Sequence, residues 1–131
     1  MNTKKTTARE KKMSEVPFDE RDGVIWFDGE YIDWREAKLH VLSHSLHYGG
    51  AVFEGIRAYG GDIFKLTEHS QRLIDSAKAV GYNLPYSLED IDKYSEETFK
   101  KSEFDNAYLR PIAWRGAEEM GLGAHKCKIH L

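Results

Sequence analysis

The 131-residue sequence is poor in several features that would assign a protein to a broad class. Cys127 is the only cysteine, which excludes an internal disulfide and indicates a reducing compartment. The apolar runs fall short of the roughly 20 residues of a membrane-spanning helix, and the charged N-terminus has no apolar signal core. We therefore expect a soluble, cytoplasmic protein without a membrane partner.

An excess of basic residues is also missing. The 19 Lys and Arg residues face 22 Asp and Glu residues, which gives a formal net charge of -3. Because a protein that follows a nucleic-acid backbone usually carries a basic face, we expect no nucleic-acid partner. The hydrophobic share of 40% is ordinary for a globular protein and, at this length, indicates one domain with a core.

Residues 1–23 lack the apolar periodicity of a folded segment. They mix charges of both signs with Thr, Ser and Pro. Such a composition cannot offset the entropy that ordering would cost. The sequence therefore predicts a flexible tail over residues 1–23 and a folded domain over residues 24–131.

Two β-hairpins are predicted in the first half of this domain. In VIWFDGEYIDW, two short apolar segments flank Asp28-Gly29, a dipeptide that tolerates the positive φ of a type I′ turn. In GIRAYGGDIFKL, Gly60-Gly61-Asp62 supplies a turn between strands over residues 56–59 and 63–66.

Two helices follow. The segment TEHSQRLIDSAKAVG has Thr67 as an N-cap, apolar residues spaced for one helix face, and Gly81 as a stop. The second helix is capped by Ser87 and continues at helical spacing to about Lys101.

The last part of the sequence returns to strands. The segment NAYLRPIAW predicts a strand that Pro111 interrupts, and hence an edge or bulged strand. Residues 128–131 have the pattern of a strand that is only beginning, which suggests that the chain is a fragment. These elements together predict an α/β (α+β) fold class, with two hairpins and two helices on a mostly antiparallel sheet.

The histidines of HVLSHSLHYGG raise the question of a metal site. His40, His44 and His47 stand at i, i+4 and i+7, so they would share one face of a continuous helix. Gly49 and Gly50 break or bend the backbone directly after them, and no cluster of further metal-binding residues is nearby in the sequence. We therefore predict histidines that pack or form hydrogen bonds, and no metal ion.

Four motifs carry a resemblance to a known family. They are HVLSHSLHYGGAVFEGIRAY, FKLTEHSQRLIDSAK, AYLRPIAWRG and EEMGLG, in this order within residues 25–131. Together they resemble the N-terminal half of the class IV aminotransferases, and within them the branched-chain amino-acid aminotransferases. The resemblance implies the small N-terminal domain of this fold, pyridoxal 5'-phosphate as cofactor, and transfer of an amino group between leucine, isoleucine or valine and 2-oxoglutarate.

The same resemblance assigns a cofactor-binding role to Arg72. This residue matches the phosphate-binding arginine of the family's EHxxRL motif. A guanidinium suits a phosphate because it offers two donors in a fixed geometry. Helical periodicity alone favours a solvated arginine at this position, so the role depends on the motif.

The remaining site residues are also implied by the resemblance. Arg110 and Tyr108 match residues that bind the distal carboxylate of glutamate or 2-oxoglutarate, and Phe53 matches the apolar wall for the branched side chain. Without the motif, Phe53 is interpreted as a core residue. Tyr48 and Leu122 match positions that reach the neighbouring subunit's pocket, which implies a homodimer or higher homo-oligomer.

The family's lysine that joins the cofactor and the acidic partner of the pyridine nitrogen belong to its C-terminal domain. None of the lysines in this sequence stands at the matching position, so we assign no catalytic residue and expect the chain alone to be inactive. Three alternatives stay open: a D-amino-acid aminotransferase and an aminodeoxychorismate lyase, both of which share the EHxxRL motif, and a non-catalytic binding module.

Overall fold

The computed structural model describes Ala8, Lys12 and residues 14–131. Over these residues the chain forms small antiparallel sheets and three helices. The strands are β1 (Val24–Phe27), β2 (Glu30–Asp33), β3 (Val52–Phe53), β4 (Ile56–Tyr59), β5 (Asp62–Ile63), β6 (Ala107–Leu109), β7 (Ile112–Arg115) and β8 (Ile129–His130). The helices are α1 (His44–Tyr48), α2 (Leu66–Ala79) and α3 (Leu88–Ser102).

The predicted mixed fold with antiparallel strands is confirmed, but the strands divide among three sheets rather than one. The orders are β1-β2, β3-β7-β8 and β5-β4-β6, and every pairing is antiparallel. Helices α2 and α3 pack on each other through a core that also receives β7. Its buried residues are Leu73, Ala77, Tyr82, Ile91, Ala113 and Leu131. No helix in the described residues is long and apolar enough to cross a membrane.

The first hairpin turn has the predicted form, and its Asp28 side chain also forms hydrogen bonds with residues 130 and 131 in and after β8. Asp28 and Gly29 have φ values of 50° and 97°, and Phe27 pairs with Glu30 across the turn. The Asp28 carboxylate accepts hydrogen bonds from His130 Nδ1 at 2.5 Å and from the Leu131 N–H at 3.0 Å. The turn residue therefore joins the first and last strands.

The segment before β1 was predicted as a tail, and residues 1–7, 9–11 and 13 of it lie outside the described residues. Its later part contacts the end of the first hairpin. Phe18–Glu20 form a 3-10 turn whose Phe18 carbonyl accepts a hydrogen bond from the Trp34 indole, and the Trp34 N–H donates to Gly23 O at 3.0 Å. Trp34 therefore holds Phe18 and Gly23 beside the end of the hairpin.

The second hairpin is confirmed at its turn and corrected at its end. Gly60 and Gly61 have positive φ, and Tyr59 pairs with Asp62. The strand that was predicted to continue to Leu66 ends at Ile63, because Lys65 takes a left-handed conformation with φ of 54° and turns the chain into α2.

The predicted N-cap of α2 is wrong. Lys65 holds the cap position, and Thr67 lies inside the first turn, where its hydroxyl donates to Asp92 Oδ2 of α3 at 2.6 Å. A tertiary hydrogen bond thus uses the side chain that could have capped the helix. The stop at Gly81 is confirmed, since its N–H donates to Lys78 O with φ of 95°.

Helix α3 begins as predicted. The Ser87 hydroxyl accepts from the Asp90 N–H at 3.1 Å, and the Asp90 carboxylate accepts from the Ser87 N–H at 3.1 Å. This reciprocal capping box satisfies two N–H groups that a helix start leaves without partners.

Pro111 separates two strands that belong to different sheets. β6 is an edge strand paired with β4, whereas β7 lies in the middle of β3-β7-β8. The predicted interruption is therefore confirmed, but the edge position holds for β6 alone. The strand expected near residues 128–131 is β8, which pairs with β7.

We predict that Asp28→Gly lowers the free energy of unfolding by about 1–3 kcal/mol, because glycine keeps the positive φ of the turn and removes the carboxylate that accepts from β8. Asp28→Asn keeps an oxygen acceptor and is expected to lose less. Urea unfolding of the three chains measures both effects. An unchanged stability of Asp28→Gly would contradict the fastening role of the carboxylate.

Candidate functional site

The candidate site lies where two stretches of chain change sheets side by side. β3 passes into β4 through Glu54 and Gly55, and β6 passes into β7 through Arg110 and Pro111. The Glu54 N–H donates to Pro111 O at 3.0 Å, which holds the two crossings together. Side chains near both crossings therefore come from four strands.

Arg72 is fixed by a carboxylate of this crossing. Its Nε donates to Glu54 Oε1 at 2.5 Å and its Nη2 to Glu54 Oε2 at 2.7 Å, a two-point contact between α2 and the β3–β4 link. Glu54 is 4% exposed, whereas the Arg72 side chain is 66% exposed. The pair therefore has its carboxylate inside and its cation at the surface.

His69 completes the surroundings of Glu54. Its Nδ1 lies 3.1 Å from Glu54 Oε2, and since a carboxylate accepts, the proton is on Nδ1. The hydrogen bonds from Arg72, together with the one from His69, hold the pKa of Glu54 below its ordinary value of 4.5 although burial acts in the opposite direction. Glu54 is consequently an anion at neutral pH.

The donors that remain on Arg72 suit a phosphate. Within residues 14–131, Nη1 forms no hydrogen bond, and the guanidinium is exposed in the second turn of α2. The ion pair with Glu54 also raises the pKa of Arg72, so the guanidinium stays charged. The residues present therefore fit a phosphate group bound by the outer edge of Arg72.

Arg110, Tyr108 and Phe53 lie together in the structure. The Arg110 guanidinium donates to the Tyr108 hydroxyl from Nε at 3.1 Å and from Nη2 at 2.7 Å, and its carbon lies 4.0 Å from the centre of the Phe53 ring. Phe53 and Tyr108 are 55% and 46% exposed. Phe53 is thus not a core residue, and the cluster offers a cation beside open aromatic surface.

Gly55 makes room for this cluster. A Cβ added there would lie 3.0 Å from Tyr108 Cζ and 3.1 Å from Cε2, and still closer to the hydroxyl. Contacts of this kind are sterically excluded for an unshifted ring. The glycine of the FEG triplet therefore allows the Tyr108 ring to lie against the backbone.

Tyr48 and Leu122 lie together at a second place. The Tyr48 hydroxyl accepts from the Gly121 N–H at 3.2 Å, and His44 Nε2 donates to Gly121 O at 2.7 Å. Both polar groups at Gly121 are thus held by α1, and the next side chain, Leu122, is 89% exposed. No hydrogen bond or ring contact within residues 14–131 links Tyr48 to the cluster of Phe53, Tyr108 and Arg110.

The three closely spaced histidines each have a main-chain partner. His44 donates to Gly121 O, His47 Nε2 donates to Val41 O at 2.8 Å, and His40 Nδ1 accepts from the Leu42 N–H at 3.0 Å. Helix α1 begins at His44 and ends at Tyr48, so His40 is outside it. The shared helix face required for three ligands is therefore not formed by these residues.

Sequence reasoning missed Glu54, His69 and Gly55. Glu54 and Gly55 stand in the motif GAVFEGIRAY, where an acid between apolar residues was the available signal. His69 belongs to the EHxxRL motif, three residues before Arg72. The contacts of Glu54 span 15 to 18 residues of sequence, and Gly55 lies against Tyr108 on another strand, so no local pattern specifies these roles.

A comparison with protein families matches residues 51–130 to the amino-transferase class IV family. The chain belongs to the class IV aminotransferases. The resemblance inferred from the four motifs is thereby confirmed, and so is the fold of the family's N-terminal domain.

Among curated relatives of this class IV aminotransferase chain, the branched-chain-amino-acid aminotransferase of Pseudomonas aeruginosa is 46% identical over 116 residues, which cover 86% of this chain and 38% of the relative. The probable branched-chain-amino-acid aminotransferase of Rickettsia felis is 47% identical over 98 residues, which cover 75% and 34%. The chain thus spans little more than a third of the length of these relatives.

Solved structures of branched-chain aminotransferases also match this chain over about the same share of its length. The branched-chain amino acid aminotransferase of Escherichia coli superposes with a TM-score of 0.79 at 36% identity, over 84% of this chain and 39% of that one. The branched-chain aminotransferase of the thermophilic archaeon Thermoproteus uzoniensis, solved with norvaline, has a TM-score of 0.78 at 37% identity, over 84% and 39%.

We predict that the Glu54 carboxylate contributes stability that depends on pH. Because its pKa is lower in the folded chain, the contribution is complete above about 4.5 and is lost as the pH falls through the lowered value. Glu54→Gln should reduce the free energy of unfolding by about 1.5–3 kcal/mol at pH 7 and by less in acid. Urea unfolding at several pH values measures the difference.

The control for this experiment is Glu68→Gln on the same helix as Arg72, since the ion pair of Glu68 within residues 14–131 is an exposed contact of 3.8 Å with Lys65. Such surface pairs contribute about 0–1 kcal/mol. An equal pH dependence in both variants would contradict a special contribution of Glu54.

We also predict that Gly55→Ala displaces the Tyr108 ring and with it the Arg110 guanidinium. The expected result is a changed NMR shift of the Arg110 Nε–H and a loss of about 1–3 kcal/mol in stability. Gly123→Ala is the matched control, because a Cβ at Gly123 meets its nearest atom at 3.8 Å. An Arg110 signal that moves equally in both variants would refute the steric account.

Proposed function

We propose that this chain provides the N-terminal domain of a branched-chain amino-acid aminotransferase, which transfers an amino group between leucine, isoleucine or valine and 2-oxoglutarate with pyridoxal 5'-phosphate. The observation that carries the proposal is the cluster of Phe53, Tyr108 and Arg110. A transaminase of this specificity must receive an apolar side chain and a carboxylate in one pocket. The cluster offers an aromatic wall and a cation within 4.0 Å of each other.

The ligands of solved relatives support the substrate classes. One branched-chain amino acid aminotransferase, 38% identical to this chain, was solved with 4-methylvaleric acid and with N-(5'-phosphopyridoxyl)-L-glutamate. The first ligand has the carbon skeleton of leucine without its amino group, and the second joins glutamate to the cofactor. In this chain, Phe53 would contact the branched side chain, and the Arg110 donors would bind the distal carboxylate of glutamate.

The free donors of Arg72 are evidence for the proposed cofactor. Its outer donors would bind the phosphate group, while Glu54 occupies the inner ones. Pyridoxal phosphate, when bound, supplies the electron-withdrawing ring that stabilises negative charge at the amino acid's α-carbon. The described residues contribute binding and orientation to this reaction, and we assign none of them to proton transfer.

We include a homodimer in the proposal. Large apolar side chains around α1 are exposed, and Leu122 is the most exposed of those around the Gly121 turn. Such surface is typical of an interface between subunits. The exposed large apolar residues on and before α1 are Leu39, Val41, Leu42, Leu46 and Tyr48. The cytoplasmic location stays a prediction from the single cysteine.

The proposal is tested with the complete enzyme and with this chain alone. We expect the complete enzyme to convert leucine and 2-oxoglutarate, and the 131-residue chain to show no turnover above free cofactor. Conversion of D-amino acids or of aminodeoxychorismate in place of leucine would support the alternative class IV activities. Turnover by the isolated chain would show that the assignment of no catalytic residue is wrong.

In the complete enzyme, we predict that Arg110→Ala slows the glutamate half-reaction by about a hundredfold, or about 3 kcal/mol, because a carboxylate in an apolar pocket loses its cation. Leucine has no second carboxylate, so its loss should be about tenfold at most. Single-turnover rates with both amino acids measure the two effects.

Arg35→Ala serves as the control, since Arg35 pairs with Asp22 at the surface and contacts none of the site residues. It should leave both half-reactions unchanged. Equal losses for leucine and glutamate in Arg110→Ala would indicate a role for Arg110 in structure or in binding the α-carboxylate, and would contradict the proposed division of the pocket.

A further inference from the structure

The buried carboxylate of Glu54 is held by three hydrogen bonds from the protein. Two come from Arg72 at 2.5 and 2.7 Å and one from His69 at 3.1 Å. An ionised carboxylate at 4% exposure is costly unless such donors compensate it. Glu54 therefore requires Arg72, and the contact is more than a surface ion pair.

The reverse dependence is the more informative one. The Arg72 side chain is 66% exposed on α2, and an exposed arginine without a partner samples many rotamers. Two parallel hydrogen bonds to one carboxylate fix the plane of the guanidinium. They use Nε and one N–H of Nη2, so that the Nη1 edge is turned to the outside in a defined orientation.

Two effects of the Glu54 charge oppose each other at this edge. Its negative charge weakens the attraction of Arg72 for a second anion, whereas its two-point contact removes the conformational entropy that an unheld arginine would lose on binding. The buried position of Glu54 and its separation from the outer Nη1 edge favour the second effect. His69 adds to it by holding the carboxylate through a further hydrogen bond.

We propose that Glu54 is a positioning residue that orients Arg72 for the phosphate group of the cofactor. The inference rests on the proposed function, because it takes pyridoxal phosphate as the ligand of Arg72. It assigns Glu54 no contact with the cofactor and no part in the reaction itself.

The experiment compares cofactors with and without the phosphate. Apo forms of the complete enzyme are titrated with pyridoxal phosphate and with pyridoxal, for wild type, Glu54→Gln and Glu68→Gln. We expect Glu54→Gln to weaken pyridoxal phosphate about tenfold, the effect of one impaired charge-assisted contact, and to change pyridoxal by less than about twofold. Glu68→Gln, which alters an exposed pair on the same helix as Arg72, should change neither.

Equal or tighter binding of pyridoxal phosphate by Glu54→Gln would overturn the proposal, since it would mean that the orienting effect of Glu54 does not outweigh its charge repulsion. An equal loss for both cofactors would also overturn it, because a general structural defect does not distinguish the phosphate. If Glu54→Gln does not fold, Glu54→Asp, which keeps the charge and shortens the side chain, is measured in the same way with the same expected selectivity.

The outcomes also separate this proposal from the one on which it rests. A wild-type enzyme that does not bind pyridoxal phosphate would overturn both. Wild-type binding that depends on the phosphate but is unaffected by Glu54→Gln would overturn only the role of Glu54.

Discussion

The register between residues 52–58 and residues 107–113 is the constraint on which the arrangement of the site depends. Phe53 pairs with Ile112 and Ile56 pairs with Leu109, so the two stretches keep one register on both sides of Pro111. A proline cannot donate to a strand ladder, and the strands are therefore interrupted at Pro111, which divides β6 from β7. At this junction, the hydrogen bond from Glu54 N to Pro111 O at 3.0 Å keeps the two stretches paired. Because directly opposed residues lie on the same face of an antiparallel ladder, this register places Phe53, Tyr108 and Arg110 on one face.

The two arginines near this junction differ in how their charge is balanced. Arg72 is paired with the protein's own carboxylate, Glu54. Arg110 contacts the Tyr108 hydroxyl and two aromatic rings, and no carboxylate within residues 14–131 forms an ion pair with it. The first arginine is therefore oriented by a fixed anion, while the second keeps an uncompensated positive charge. That difference is consistent with the proposed roles, in which Arg72 would bind the phosphate of a cofactor and Arg110 would bind and release the carboxylate of a substrate.

Local chemistry explains which parts of the fold were predictable. Asp28-Gly29 and Gly60-Gly61 specify turns through their backbone conformation, and Ser87 specifies a helix start through its own hydroxyl. Thr67 has the same capping chemistry, but a partner on another helix, Asp92, overrides it. A propensity describes what a residue does without tertiary contacts, and it fails where such a contact competes. In the site, only the residues that belong to recognised motifs could be assigned a role from the sequence. Glu54 is buried because Arg72 and His69 reach it from α2. Nothing in the sequence around Glu54 indicates these two partners.

The position of Leu122 bears on the proposed homodimer. A solvated loop tip needs no rigid backbone, yet both polar groups of the preceding Gly121 are held, its N–H by Tyr48 and its carbonyl by the buried His44. Burying a leucine side chain contributes about 1.5–3 kcal/mol, and an exposed one forgoes that gain. A backbone held this firmly beneath an exposed leucine is understandable if the side chain is presented to another surface. In the proposed homodimer, Leu122 of a second copy would need an apolar surface of this kind, and the exposed rings of Phe53 and Tyr108 provide one.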